Sequence, residues 1–241
     1  MPRIELLNNI NHKNLRINTA KKKEFGDSVA GAVIYPFEFS AVHKEYPILF
    51  QKDENTGEFQ AIAFFGFEEN ENLFLGDDWE ANYIPAVIRR EPFFIGFQQE
   101  SGSSEPTMVV HVDMNSPRIS TDGTGQPVFL DNGGNTDYLN EVRETLVHMH
   151  NGIASSKQMM AQFLDLDLIE RVTLDITFRN EAKFKTDMFY TINKEKLFGL
   201  NESAVAAMHK SGLLQLAYMA IDSLSNIKTL IKRKEARLSR S

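Results

Sequence analysis

The sequence predicts an α+β fold, mainly antiparallel sheet with a helical C-terminal third, and three observations carry that prediction. Two pairs of strand-like runs, 48–52 with 59–67 and 172–178 with 184–192, are each joined by a short polar turn. Beyond Thr136 the apolar residues Tyr138, Leu139, Val142, Leu146 and Met149 recur at helical spacing. From Asn201 to the end the pattern stays helical, interrupted only at Gly212.

Composition narrows the class. At 241 residues and 42% hydrophobic content the chain can bury a substantial core. The expected organisation is a polar N-terminal segment, 1–30, followed by a single domain, 31–241. A net charge of −7 argues against a specific nucleic-acid binder, which needs concentrated Lys and Arg. The absence of cysteine excludes disulfides, thiolate-ligated metals and a cysteine nucleophile. The start, Met1 to Asn9, has no apolar targeting core, and no run approaches the ~20 apolar residues that span a bilayer. A soluble, cytoplasmic protein without a transmembrane segment is therefore expected, with signal-independent export to the cell surface left open.

Element by element, residues 1–30, including Lys21, Lys22 and Lys23, read as an extended segment pairing at a sheet edge. Pro36 fits the first turn of a short helix with Phe37, Ala41 and Tyr46 inward, ended by Pro47. The run 59–67 is apolar on both faces over 61–65 and belongs centrally in the sheet. Residues 72–75 read as a short strand, 94–97 and 108–113 as two more, and 98–106 as a polar loop. Pro117, Gly123, Gly125, Pro127, Gly133 and Gly134 mark 115–134 as a long irregular connection. Gly152 reads as a bend before a second helix with Met159, Met160 and Phe163. The last helix carries a narrow seam of Leu213, Ala217, Ala220, Leu224, Ile227 and Ile231, suited to packing on the domain or to a homo-oligomer. Its end is basic, with Lys228, Lys232, Arg233, Lys234, Arg237 and Arg240 against Glu235.

The densest unusual stretch is 79–93, which holds the only tryptophan, two prolines and Arg89-Arg90. Arginine grips carboxylates or phosphates through two parallel N–H groups, and aromatic faces stack on planar ligands or guanidinium groups. If 81–90 is helical, Tyr83 and Trp79 share a face. A ligand-binding set of Trp79, Tyr83, Arg89, Arg90, Tyr46 and Glu38 follows, suited to a small anionic or peptide ligand. The competing reading is a structural corner, with an arginine paired to a core-edge carboxylate such as Glu38. The metal candidates are weak. His111 and Asp113 share one face of a strand, and His148, His150 or His209 would have to complete a facial triad. No phosphate loop, nucleophile elbow or zinc-protease pattern occurs, and no cofactor is expected.

Taken in order, the motifs resemble a known family. Tyr46-Pro47-Ile48-Leu49-Phe50, then Glu71-Asn72-Leu73-Phe74, then Trp79-x-x-x-Tyr83-Ile84-Pro85-Ala86-x-x-Arg89-Arg90-x-Pro92-Phe93 are similar to the bacterial SapC family. Asp113 with Ser116, Gly125-x-Pro127-Val128-Phe129, and Phe189-Tyr190-x-Ile192-x-x-Glu195-Lys196-Leu197-x-x-Leu200 match its later parts. Gly212-Leu213-Leu214-x-x-Ala217-Tyr218 continues the match towards the C-terminus, so that it covers about 30–232. The family takes its name from a surface-layer locus and has no well-established catalytic activity or cofactor, so the resemblance leans towards an accessory or interaction protein with a protein partner and leaves the enzyme question open. It marks Tyr46, Pro47, Trp79, Tyr83, Pro85, Arg89, Arg90, Pro92 and Phe93 as signature positions without giving them roles. Three functions are thereby set out: this accessory role, a small-ligand or peptide-binding module, and a metal-dependent oxygenase-like enzyme using His111 and Asp113.

Overall fold

A computed structural model describes residues 2–99 and 106–239, so most of the expected polar loop at 98–106, and Arg240, lie outside the described residues. In chain order the elements are β1 (Ile4–Leu6), β2 (Arg16–Ile17), β3 (Gly31–Ile34), α1 (Phe39–Val42), β4 (Ile48–Lys52), β5 (Phe59–Phe64), α2 (Ala86–Arg89), β6 (Phe93–Gln98) and β7 (Thr107–Asp113). They continue with β8 (Gln126–Pro127), α3 (Asp137–Asp165), β9 (Ile169–Thr177), β10 (Lys183–Ile192), α4 (Lys194–Phe198), α5 (Glu202–Lys210), α6 (Leu213–Ser223) and α7 (Ile227–Leu238). The strand pairings within the sheets are antiparallel, and the chain is α+β.

The residues group into two compact units. Unit 1 comprises Met1–Asp27, Asp77–Trp79 and Ala86–Asn151, and unit 2 comprises Ser28–Gly76, Glu80–Pro85 and Gly152–Ser241.

Unit 1 holds a three-stranded sheet in the order β1-β7-β6 and the short pair β2-β8. In β6 and β7 the opposed pairs Phe93–Val112 and Ile95–Val110 point to one face, as strand alternation requires. That face packs on Leu139, Val142 and Leu146 of α3, with Leu15, Ile17, Val128 and Phe129 completing the core. Thr136 starts the helix: its Oγ1 accepts the Leu139 N–H at 3.3 Å.

Behind this core lies a buried ion pair. Arg118 is 1% exposed and Asp27 2%, with Nη2 and Oδ1 2.5 Å apart. The guanidinium also donates to the Asn18 and Ala20 carbonyls at 3.2 and 2.9 Å, and Asp27 Oδ2 accepts the Lys22 N–H at 2.8 Å. Gly26, at φ +86°, makes the left-handed turn that brings Asp27 back to this point.

Unit 2 is built on a five-stranded sheet in the order β3-β5-β4-β10-β9, with β5 inside it as its apolar run predicts. The turn at 53–58 forms as expected, Asp53 Oδ1 accepting the N–H groups of Asn55 and Thr56 at 2.9 and 2.8 Å. Phe50 meets Phe163 of α3 edge-on at 6.2 Å.

Several elements depart from the sequence reading. Phe37 is exposed and Phe39 is buried in its place, because the short helix opens with a 3-10 turn at Pro36–Glu38. Residues 72–75 form a turn, the Asn72 side chain accepting the Phe74 N–H at 2.9 Å. Gly152 makes no bend: α3 runs unbroken through it. A Cβ there would sit 2.8 Å from the Tyr35 ring, so close packing explains the glycine. The C-terminal seam is split by a 3-10 turn at Leu224–Asn226. Leu213, Ala217 and Ala220 are buried within the chain, and after the turn the buried positions are Leu230 and Lys234, not Ile231.

Removing one partner of a buried pair leaves the other charge stranded. Asp27→Ala is expected to lose about 3–5 kcal/mol in urea unfolding, and Asp27→Ala with Arg118→Met should recover part of that loss.

Candidate functional site

Unit 1 contains a cavity of about 480 Å³ lined by Thr19, Lys21, Arg89, Glu91, Gln126, Asp137, Tyr138 and Glu141. Lys21 is only 7% exposed, whereas Lys22 and Lys23 lie in solvent. The local backbone explains this placement. Arg118 holds the carbonyls of Asn18 and Ala20, and Asp27 holds the Lys22 N–H, so both sides of Lys21 are pinned. The side chain turns inward and lines the cavity.

The ammonium is poorly compensated there. Its hydrogen bond goes to the Ile88 carbonyl at 3.3 Å, and among the described residues no carboxylate reaches ion-pairing distance. Burial, followed by the like charge of Arg118, pulls its pKa down to about 8, against weaker opposition from Asp27, Glu91 and Asp78. Burial also pushes the Tyr138 phenol well above its ordinary value, so it stays a neutral donor. The Tyr138 ring meets Phe93 edge-on at 6.2 Å.

Of the residues singled out in the sequence, Trp79, Arg89 and Arg90 belong to unit 1, and Glu38, Tyr46 and Tyr83 to unit 2. Arg89 is exposed and lines the cavity. Arg90 donates to the Phe93 carbonyl at 2.7 Å, pairs with Glu91 at 3.2 Å and lies 4.3 Å over the Phe94 ring. Trp79 is buried, at 8% exposure.

Tyr83 does not lie on a helix. The N–H groups of Asn82 and Tyr83 go to the Glu45 carboxylate at 2.8 and 3.0 Å, and Pro85 restrains the residue before it, so α2 begins only at Ala86. The Tyr83 hydroxyl donates to Glu38 Oε1 at 2.8 Å, and Glu38 Oε2 accepts the Tyr35 N–H at 2.9 Å. The Tyr46 hydroxyl donates to the Tyr83 carbonyl at 2.5 Å, its ring set edge-on to Phe65 and Phe74. Glu38 and Tyr46 are 1% and 0% exposed. Within unit 2 these three residues thus form a hydrogen-bonded corner.

The basic end of α7 is tied down beside that corner. Arg233 pairs with Glu80 at 2.6 Å and lies 4.6 Å over Phe74, while Arg237 donates to the Leu75 carbonyl at 2.6 Å. Lys234 meets Glu68 and Glu71 at 2.5 and 2.7 Å. Unit 2 also has an apolar groove of about 390 Å³ bordered by Phe64, Phe67, Phe184 and Phe189. These rings pack on one another at 5.2–5.7 Å. The acids at its rim include Glu68, already held by Lys234.

The family model described as SapC matches residues 7–230. The chain belongs to the SapC family. No curated protein and no solved structure matches it.

Among the remaining sequence candidates of this SapC chain, Asp113, His111 and His150 have structural roles. Asp113 Oδ1 accepts the Arg3 and Asn115 N–H groups at 3.0 and 2.9 Å, which closes the end of β7. The His111 ring lies over Gly96, where a Cβ would approach its Cε1 to 2.4 Å. His150 packs on Phe97 at 5.0 Å. Among the described residues no group of three His, Asp or Glu side chains is placed to hold a metal ion.

Two outcomes follow. Lys21 has a folded pKa near 8 against about 10.5 unfolded, so the unfolded chain binds more protons between those values. Its destabilising effect is full below pH 8 and vanishes as pH rises through that window, by on the order of 3 kcal/mol. Thermal melts at pH 7 and 10.5 should show Lys21→Met more stable than wild type at pH 7, with the difference shrinking at pH 10.5. In unit 2, Tyr83→Phe removes the donor to buried Glu38 and should cost about 1–3 kcal/mol in urea unfolding.

Proposed function

We propose that this SapC chain is a non-enzymatic accessory protein that works by holding a small carboxylate-bearing ligand in the cavity of unit 1. The observation that supports this most is Lys21. A buried ammonium with no ion-pairing carboxylate costs stability, and an anion arriving from solution removes that cost. Arg89 at the cavity wall adds a planar fork suited to a carboxylate, and Tyr138 adds a neutral hydroxyl and an apolar ring. The volume suits a metabolite-sized molecule. This reading keeps Arg89 from the ligand-binding set read in the sequence and builds the rest of the pocket from Lys21 and Tyr138.

The reading is tested by titrating acetate, propionate and phosphate into protein carrying ¹³C-labelled lysine. The Lys21 Cε signal should shift saturably with the carboxylates, and Lys21→Met or Arg89→Ala should weaken their binding about tenfold each. A Lys21 signal indifferent to all three anions overturns the proposal.

A further inference from the structure

The same cavity carries unmatched charge of the opposite sign as well. Asp137 and Glu141 are four residues apart on α3, so their carboxylates share one helix face, and both residues line the cavity. Among the described residues neither carboxylate has an ion-pair partner, and both residues are exposed. Two like charges at this spacing repel by a few tenths of a kcal/mol, which a cation between them would reverse. Glu91 is different, since it pairs with Arg90 at 3.2 Å.

Lys21 and the Asp137–Glu141 pair therefore border one cavity without reaching each other. The lining holds two cations, Lys21 and Arg89, against three acids, Glu91, Asp137 and Glu141. With Glu91 already paired to Arg90, a phosphate dianion would leave Asp137 and Glu141 unmatched, and a simple amine would leave Lys21 uncompensated. A molecule with a carboxylate at one end and an ammonium at the other satisfies both. We infer that the ligand of this cavity is a small zwitterion, an amino acid or short peptide. Its carboxylate lies against Lys21 and Arg89, and its ammonium against Asp137 and Glu141. This rests on the carboxylate-binding reading above and adds the second pole.

The experiment uses a molecular ruler on the full chain. Glycine, 4-aminobutanoate and 6-aminohexanoate are compared by calorimetry with acetate, butanoate and hexanoate, which have the same carboxylate and chain length without the ammonium. At least one amino acid of the series should bind about tenfold tighter than its partner acid, equivalent to 1.4 kcal/mol. Asp137→Asn and Glu141→Gln should erase that advantage while leaving acid binding in place, and Lys21→Met should weaken both. Both acid variants lie on an exposed helix face, so a melt close to wild type separates lost binding from lost folding. If acids and amino acids bind equally, the zwitterion inference fails and carboxylate binding stands. If none of the six probes binds, both fail.

Discussion

The guanidinium of Arg118 is the constraint on which unit 1 depends. Taking both charges of the Arg118–Asp27 pair out of water costs several kcal/mol per ion, and the contact alone does not offset that. The surrounding hydrogen bonds offset part of the remainder, the buried Arg118 Nε alone of the guanidinium nitrogens having no partner among the described residues. Arg118 donates to two carbonyls of the segment 18–20, Asp27 accepts the Lys22 N–H, and the Phe25 ring lies 5.5 Å from the guanidinium carbon. A polar, lysine-rich stretch with little apolar content is thereby held in one shape. Within this segment Lys21 turns inward and is only 7% exposed.

Unit 2 solves a comparable problem with the opposite result. Its charges at the corner find partners inside the chain: Glu38 with Tyr83 and the Tyr35 N–H, Glu45 with the backbone of Asn82 and Tyr83, Lys234 with Glu68 and Glu71. Buried polar groups satisfied in this way specify geometry and have no bond left to offer. The basic end of α7 behaves likewise. Burial opposes the charge on Lys234, but its hydrogen bonds to the Glu68 and Glu71 carboxylates and their charge outweigh it and raise its pKa above the ordinary lysine value. A run that reads in the sequence as a solvated basic tail is therefore in good part a clamp.

These contrasts explain what was legible in the sequence. Strands and helices with strong periodicity are readable: the two hairpins, the first half of α3 and α5 with its Asn201 cap lie where the pattern puts them. Gly152 was misread because a glycine needed for contact with Tyr35 and a glycine that bends a helix look alike without the partner. The helix expected at 81–90 failed because Glu45, far away in sequence, captures the backbone donors that a helix would use. Arg89 was readable as a binding residue, since paired arginines beside aromatics invite that reading. Lys21 was not, because a run of three lysines normally lies in solvent. Alternation gives no signal either, because Thr19, in phase with buried Leu15 and Ile17, is exposed. What no pattern could supply was the identity of its neighbours, Arg118 and Tyr138, about a hundred residues away.

The decisive comparison is between charges that meet and charges that do not. The chain has 33 acids against 26 lysines and arginines, so partners for a buried ammonium are plentiful in composition. Lys234 shows that this fold can pair such a group twice over. Lys21 borders the same cavity as Glu91, Asp137 and Glu141 and, among the described residues, pairs with none of them, while Arg118 and Asp27 hold the backbone on both sides of it. The backbone that carries Lys21 is held by a buried ion pair whose own disruption is costly. A preformed separation of opposite charges across a metabolite-sized space loses little entropy on filling, which is the property that turns weak ionic contacts into useful affinity.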